Sequence, residues 1–362
     1  MNDLARVLNF LNCLIITGVE GSVGDDAGGL NAKGAVRRVE LRAGDLEGLT
    51  VEELRFGLRD IALPTPESGI AVRPALDRMV LTISQSFWRR AADLTGERVL
   101  AGAGTILDRV VLDGLEILAA LGPGKVLQVE VRIKELTVLR GDRVCCEVRN
   151  LKLAVDGYDL QQKNRKKALA GTVVYLDSLD IRVDQDFLNR AIEVGKRKAP
   201  RELESLEIEM SARRGMTIRG ALRKVLRLHF GVRLSLASEG NLFRIYFQRF
   251  FLGESLPLPA FTRTALLALV RKLAARRPEV EATDHYLFVN PWPRLPVQVR
   301  TRVLRFLVVD QAMVLTFGPE TGRSALEEFS PLELSPGLPA PRPVAPRVKR
   351  KMVPPGPPVK EA

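Results

Sequence analysis

Two histidines, three cysteines and a scatter of carboxylates are the side chains here that could move a proton, attack carbon or hold a metal. Their spacing supports none of these. His229 and His285 have no second His, Cys or carboxylate at the separations a metal site uses, and His229 falls at a polar position of an alternating run. Cys13, Cys145 and Cys146 offer neither a disulfide framework nor a ligand pair; adjacent thiols on a strand face opposite sides and read as small packing residues of a reducing compartment. Gly102-Ala-Gly104 is not followed by Gly-Lys-Ser/Thr, so it is no phosphate loop, and no Gly-x-Ser-x-Gly elbow occurs. Glu202, Glu204, Glu207 and Glu209 alternate as a solvated strand face does. The sequence assigns no catalytic residue, metal or cofactor, and the chain reads as a binding protein rather than an enzyme.

Charge is the stronger signal. The formal net charge is +12, which favours acidic partners. Lys196-Arg-Lys198, Arg213-Arg214, Arg223-Lys224, Arg227 and Arg233 gather in one third of the chain. Within Pro336–Ala362, a Pro-rich stretch, Arg342, Arg347, Lys349, Arg350, Lys351 and Lys360 stand against Glu361, so six minus one gives five excess charges there. Nucleic-acid binding would interleave aromatics with the basic residues, whereas Phe243, Phe247, Phe250 and Phe251 sit in apolar runs. An anionic membrane surface is the better match, and nucleic acid is disfavoured.

The elements that must carry these residues are mostly strands. Leu226, Leu228, Phe230, Val232, Leu234 and Leu236 alternate with polar residues, and after Ser238-Glu-Gly-Asn241 so do Phe243, Ile245 and Phe247, a hairpin with one apolar face. Val129, Val131 and Ile133, a turn at Arg140-Gly-Asp142 and a return from Val144 to Leu153 make a second hairpin. A third crosses Arg213-Arg-Gly215. One local pattern occurs twice: Leu81-Thr-Ile-Ser-Gln-Ser-Phe-Trp-Arg-Arg90 aligns with Ile181-Arg-Val-Asp-Gln-Asp-Phe-Leu-Asn-Arg190, each a strand ending at a helix-capping residue, Ser84 or Asp184. The segment Ala260–Arg277 has an amphipathic helical pattern with a basic side, suited to lie over a sheet as a lid. Closing strands are expected near Val299–Val309 and Met313–Phe317. The fold class that follows is α+β: long curved antiparallel sheets each wrapped on a helix, in two related repeats, with a disordered Pro-rich basic tail. The expected domains are 1–160, the first sheet-and-helix repeat with an N-terminal extension; 161–320, the second repeat with its lid helix; and 321–362, the tail.

The run Val7 to Val19, interrupted by Asn9 and Asn12, has a weakly basic start and no small-residue cleavage site. Nothing approaches the roughly 18 apolar residues of a spanning helix. A cytoplasmic protein with peripheral membrane association is expected, and export is disfavoured.

The order of strand, "Leu-x-Ile-x-x-x-Phe-x-x-Arg-Ala" helix, long hairpins, Leu256-Pro-Leu-Pro259, lid helix, Pro-rich crossover and final strands resembles the LmeA-like phospholipid-binding family, related in style to tubular lipid-binding modules. The resemblance covers Val173 to Gly318 best. It implies a phospholipid or other acyl-chain lipid held between sheet and helix, lined by Phe230, Phe243, Phe247, Phe261, Leu266, Leu269 and Val270, with Arg263, Arg271 and Lys272 touching headgroup or membrane. The family assigns no catalytic residues. A structural or adaptor protein, docking a protein partner through the basic tail, is the alternative.

Overall fold

Long runs of β-branched and aliphatic residues at period two make most of this chain strand. The computed structural model describes residues 14–320, except 27–28, 44–45, 62–70, 96–97, 122–125, 163, 197–202, 224–226, 254–255, 259–263, 265–266, 269–270, 272–273, 276–278, 284 and 293–294. The tail expected at 321–362 lies outside the described residues, as does most of the N-terminal apolar run.

The architecture is mostly antiparallel sheet, in two sheets. The first begins as a meander of long strands in chain order: β1 (Leu14–Asp26), β2 (Gly29–Ala43), β3 (Leu46–Ile61), β4 (Ala71–Ile83), β5 (Arg109–Leu121), β6 (Val126–Arg140), β7 (Arg143–Asp159) and β8 (Val173–Asp184). The second is ordered β14-β15-β12-β11-β10-β9, from β9 (Leu203–Ser211), β10 (Gly215–Arg223), β11 (Arg227–Glu239), β12 (Leu242–Leu252), β14 (Val280–Ala282) and β15 (Tyr286–Val289), with β13 (Leu256–Pro257) beside β12. The chain then returns to the first sheet. There β16 (Gln298–Arg300) runs parallel to the start of β8, β18 (Ala312–Gly318) pairs with its end, and β17 (Arg302–Val309) closes beside β18. Thr301, 2% exposed, fastens the return: its Oγ1 lies 3.2 Å from Leu176 O and 3.1 Å from Gly318 O.

Helices α1 (Gln85–Thr95), α2 (Arg98–Ile106), α3 (Arg165–Ala170) and α4 (Gln185–Lys196) interrupt the strands. Both capping residues act as such. Phe87 N–H donates to Ser84 Oγ at 3.1 Å, and Asp186 N–H donates to Asp184 Oδ1 at 2.8 Å. Gly102 and Gly104 serve helix contact rather than phosphate: a Cβ at Gly102 would stand 2.5 Å from Val194 Cγ1 on α4, and one at Gly104 3.0 Å from Trp88 Cδ1 on α1.

The apolar faces meet where the second sheet lies against the end of the first. Met210, Met216, Val232, Leu234 and Phe250 form one buried cluster, joined by Leu267, with Leu188 of α4, Val308 and Met313 packed against it. Leu176, Val303 and Phe317 centre another, against which Leu151, Leu153, Ile181, Leu315, Phe243, Phe306 and Trp292 pack. Among the described residues no helix is long and apolar enough to cross a membrane.

Candidate functional site

Register across the first sheet lines its apolar residues into rows, one crossing ten strands and one crossing five. One row reads Ile16, Val39, Val51, Leu81, Val110, Val138, Cys146, Val183, Met313 and Val308, each the direct partner of the next on ten successive strands. A second reads Phe56, Leu76, Leu115, Ile133 and Leu151. Within each strand these rows do not share parity: Val51 and Phe56 are an odd number of residues apart, as are Val110 and Leu115, Val138 and Ile133, and Cys146 and Leu151. In strictly alternating strands the rows would occupy opposite faces.

On four of the strands a left-handed residue sits at the conflict. Gly18 on β1 (φ 66°), Glu53 on β3 (55°), Gly114 on β5 (65°) and Asn150 on β7 (54°) fall between the two rows. Gly114 and Asn150 flank Lys134 of β6, and Gly18 and Glu53 flank Arg37 of β2, by the registers on either side. A left-handed residue of this kind can shift the alternation by one on the strand that carries it, which keeps the apolar side continuous across the line on those strands. Leu151 and Leu153 from one side of it share a cluster with Ile181 and Leu315 from the other.

Many of the side chains along this line are charged or polar, and they pair across the strands. Arg38 meets Glu52 at 3.6 Å, Arg78 meets Glu53 at 2.5 Å and Asp113 at 3.0 Å, Arg149 meets Glu135 at 3.7 Å, and Asn150 Nδ2 donates to Asp180 at 3.0 Å. The hydrogen bond to Glu53, then the nearby Asp113, raises the Arg78 pKa.

The apolar face is covered at one end and open at the other. Neither buried cluster includes a residue of β1–β6, and towards β1 the face is solvent-exposed: Leu58 37%, Phe56 44%, Ile16 50%, Val19 68% and Val23 72%. Contiguous exposed apolar surface on a folded chain marks a binding surface.

The residues expected to line the lipid site are dispersed. Phe243 is half-buried at the sheet junction, 4.9 Å from Phe306 and 6.2 Å from Phe317 between ring centres. Phe247 packs in the other cluster, 5.7 Å from Phe250. Phe230 is half-buried beside Gly220 and borders a cavity of about 440 Å³ with His229 and Arg219. Phe261, Arg263, Leu266, Leu269, Val270 and Lys272 lie outside the described residues. In the expected lid, Thr264, Leu267, Ala268, Arg271 and Ala274 are helical; Leu267 and Ala274 are buried and Arg271 is exposed. A cavity of about 710 Å³ lies between α2, α4 and β9 and is lined by Thr105, Asp186, Asn189, Arg190, Glu193 and Glu207 among others. Part of its polar lining is structural, because Asn189 donates to Ile208 O at 2.9 Å and accepts from Ile208 N–H at 2.7 Å. Burial pushes the Cys145 and Cys146 thiols up, so neither is an activated nucleophile. Among the described residues no group of three His, Cys, Asp or Glu could hold a metal.

The rows and the charged line between them were missed by sequence reasoning. Their only local signal is an apolar parity that changes mid-strand near a Gly or Asn. No family model matches the chain, and no curated protein is similar to it at a meaningful level.

Proposed function

We propose that this is a non-catalytic lipid-binding protein that holds acyl chains against the apolar face of β1–β6, peripheral to an anionic membrane. The observation that carries the reading is the pair of apolar rows, one crossing β1–β6 and the other β3–β6, with no residue of these strands in either buried cluster among the described residues. At about 4.8 Å per strand those six strands span about 24 Å. One leaflet of a hydrocarbon core is about 15 Å deep, half of its roughly 30 Å thickness, so the face suits a whole acyl chain. Each methylene removed from water contributes about 0.8 kcal/mol, so a chain laid on the sheet gains several kcal/mol before its ordering cost. The exposed aliphatic side chains would otherwise remain hydrated, which is the driving force for occupancy. The basic balance of the chain supports approach to an anionic surface.

The test is native mass spectrometry with lipid extraction on full-length protein purified without detergent, followed by titration of delipidated protein with a fluorescent fatty acid. Lipid recovery in the first step, and weakened binding by a Leu115→Gln/Ile133→Gln variant in the second, are expected. Protein that carries no lipid and binds no fatty acid would sink the proposal.

A further inference from the structure

We infer that the second sheet carries a binding site for a phosphate group on the side opposite its packed core, centred on Arg233 and Arg249. The register sets Glu209, Thr217, Arg233 and Arg249 in one row across β9, β10, β11 and β12, and Glu207, Arg219, Gly231 and Phe251 in the next. Residues flanking this row, Met216, Ile218, Val232 and Phe250, point into the core, so the row itself faces away from it.

Two arginines are thus direct cross-strand partners, which brings two guanidinium groups to one side of the sheet. The Nε of Arg233 is buried and has no hydrogen-bond partner among the described residues, and an unmet guanidinium donor under cover is expensive to keep. Arg214 and Arg219 complete the rim of a cavity of about 120 Å³, with Ser211 and the buried Thr217 as further donors and Phe251 as its floor. Among the described residues Glu209 is the single carboxylate in the lining, and it is engaged by Arg219 at 2.9 Å. Four guanidinium groups against one carboxylate leave a formal excess of three positive charges in the lining.

Floor and rim are built for close approach. Gly231 has no side chain because the Phe251 ring occupies its place: a Cβ there would stand 2.0 Å from Phe251 Cε2. The buried ring lowers the local dielectric beneath the guanidinium groups and strengthens their hold on an anion. Planar, forked donors converging on a small volume match the tetrahedral oxygens of a phosphate monoester or diphosphate. This site stands apart from the acyl-chain face on the first sheet and does not depend on it.

The shared chemistry is a phosphate group, whether of a soluble phosphorylated molecule or of a lipid headgroup. The test uses full-length protein in two arms: thermal-shift and calorimetric titration with inorganic phosphate and with pyrophosphate against sodium chloride of matched ionic strength, and flotation with phosphatidylcholine vesicles with and without phosphatidic acid. Wild type should be stabilised by phosphate or pyrophosphate beyond the chloride control. Arg233→Gln and Arg249→Gln should each weaken that response about tenfold or more, while Arg305→Gln, on an exposed position of β17, keeps it. Without phosphate, Arg233→Gln should melt no lower than wild type, because it removes a buried donor that has no partner among the described residues; this separates a binding defect from misfolding. Loss of the phosphatidic acid-dependent flotation in the same two variants assigns the headgroup as the source; flotation unchanged, with the soluble response lost, assigns a soluble ligand. Stabilisation equal to that by chloride, or a phosphate response that survives in both variants, would overturn the inference.

Discussion

Arg78 on β4 holds Asp113 on β5 at 3.0 Å while its Nε reaches Glu53 on β3 at 2.5 Å, so one guanidinium ties three strands along the left-handed line. Its side chain is 41% exposed, so water screens the pair and the contribution is small. Arg78→Ala should destabilise the protein by about 1 kcal/mol, read as a lower midpoint in urea denaturation. Added salt should narrow the gap to wild type. A loss above about 3 kcal/mol would mean that the line depends on this residue far more than an exposed pair allows.

Gly114 provides a sharper test of the same line. At φ 65°, with Lys134 Cβ 2.9 Å from where its own Cβ would stand, Gly114→Val combines backbone strain with a clash against backbone-proximal atoms. A loss of about 2–3 kcal/mol is expected, against less than about 0.5 kcal/mol for a substitution at Gly24, where a Cβ meets nothing within 4 Å. Equal effects at the two positions would remove the argument that the left-handed line is required.

Phe56 separates stability from binding. Its ring is 44% exposed and lies against Gly34. Phe56→Ser should cost about 1 kcal/mol or less but lower the affinity for a fluorescent fatty acid severalfold. Unchanged fatty-acid affinity in a folded variant would move the acyl chain away from this end of the sheet.

The two helix caps should be comparable in strength. Ser84→Ala and Asp184→Ala each remove a side chain that accepts a backbone N–H of the following helix. Each should cost about 1 kcal/mol, with Asp184→Ala the larger because Arg143 Nη2 also lies 3.5 Å from its carboxylate.

The cysteines give a pH dependence with a definite sign. Burial raises the thiol pKa of Cys145 and of Cys146, the latter aided by Cys145 itself. Their contribution to stability is complete below the ordinary thiol range and is lost as the pH rises through the raised values. Alkylation by iodoacetamide at mildly alkaline pH should be slow in native protein and fast after denaturation, followed by mass spectrometry. Rapid native alkylation at both sites would contradict the burial.

Several hairpins were legible in the sequence because nothing interrupts their alternation. Phe243 to Phe247 behind the turn at Gly240 lies on β12, Val129 to Ile133 on β6, and the Arg213-Arg-Gly215 turn joins β9 to β10. The helices starting at Gln85 and Gln185 were legible through their caps. The strands β1–β3 were not, because Gly18 and Glu53 shift the parity inside β1 and β3 and defeat a period-two template. Pairing was also out of reach: β18 and β16 share one edge of β8 although more than a hundred residues separate them from it. Phe243 and Phe247 illustrate the limit for the site. Sequence identifies them as apolar and inward, and only the return of β17 and β18 decides that they meet the other sheet.

The meander has a consequence for scale. From β1 to β8 each strand pairs with its chain neighbours, and among the described residues β2 is the one partner of β1. A hairpin gained or lost at that margin alters no contact at the two-sheet junction, while changing the width of the apolar face by about 10 Å. The capacity of the face for ligand and the stability of the junction are therefore separately adjustable, and related chains could differ in reach while keeping the same anchored end.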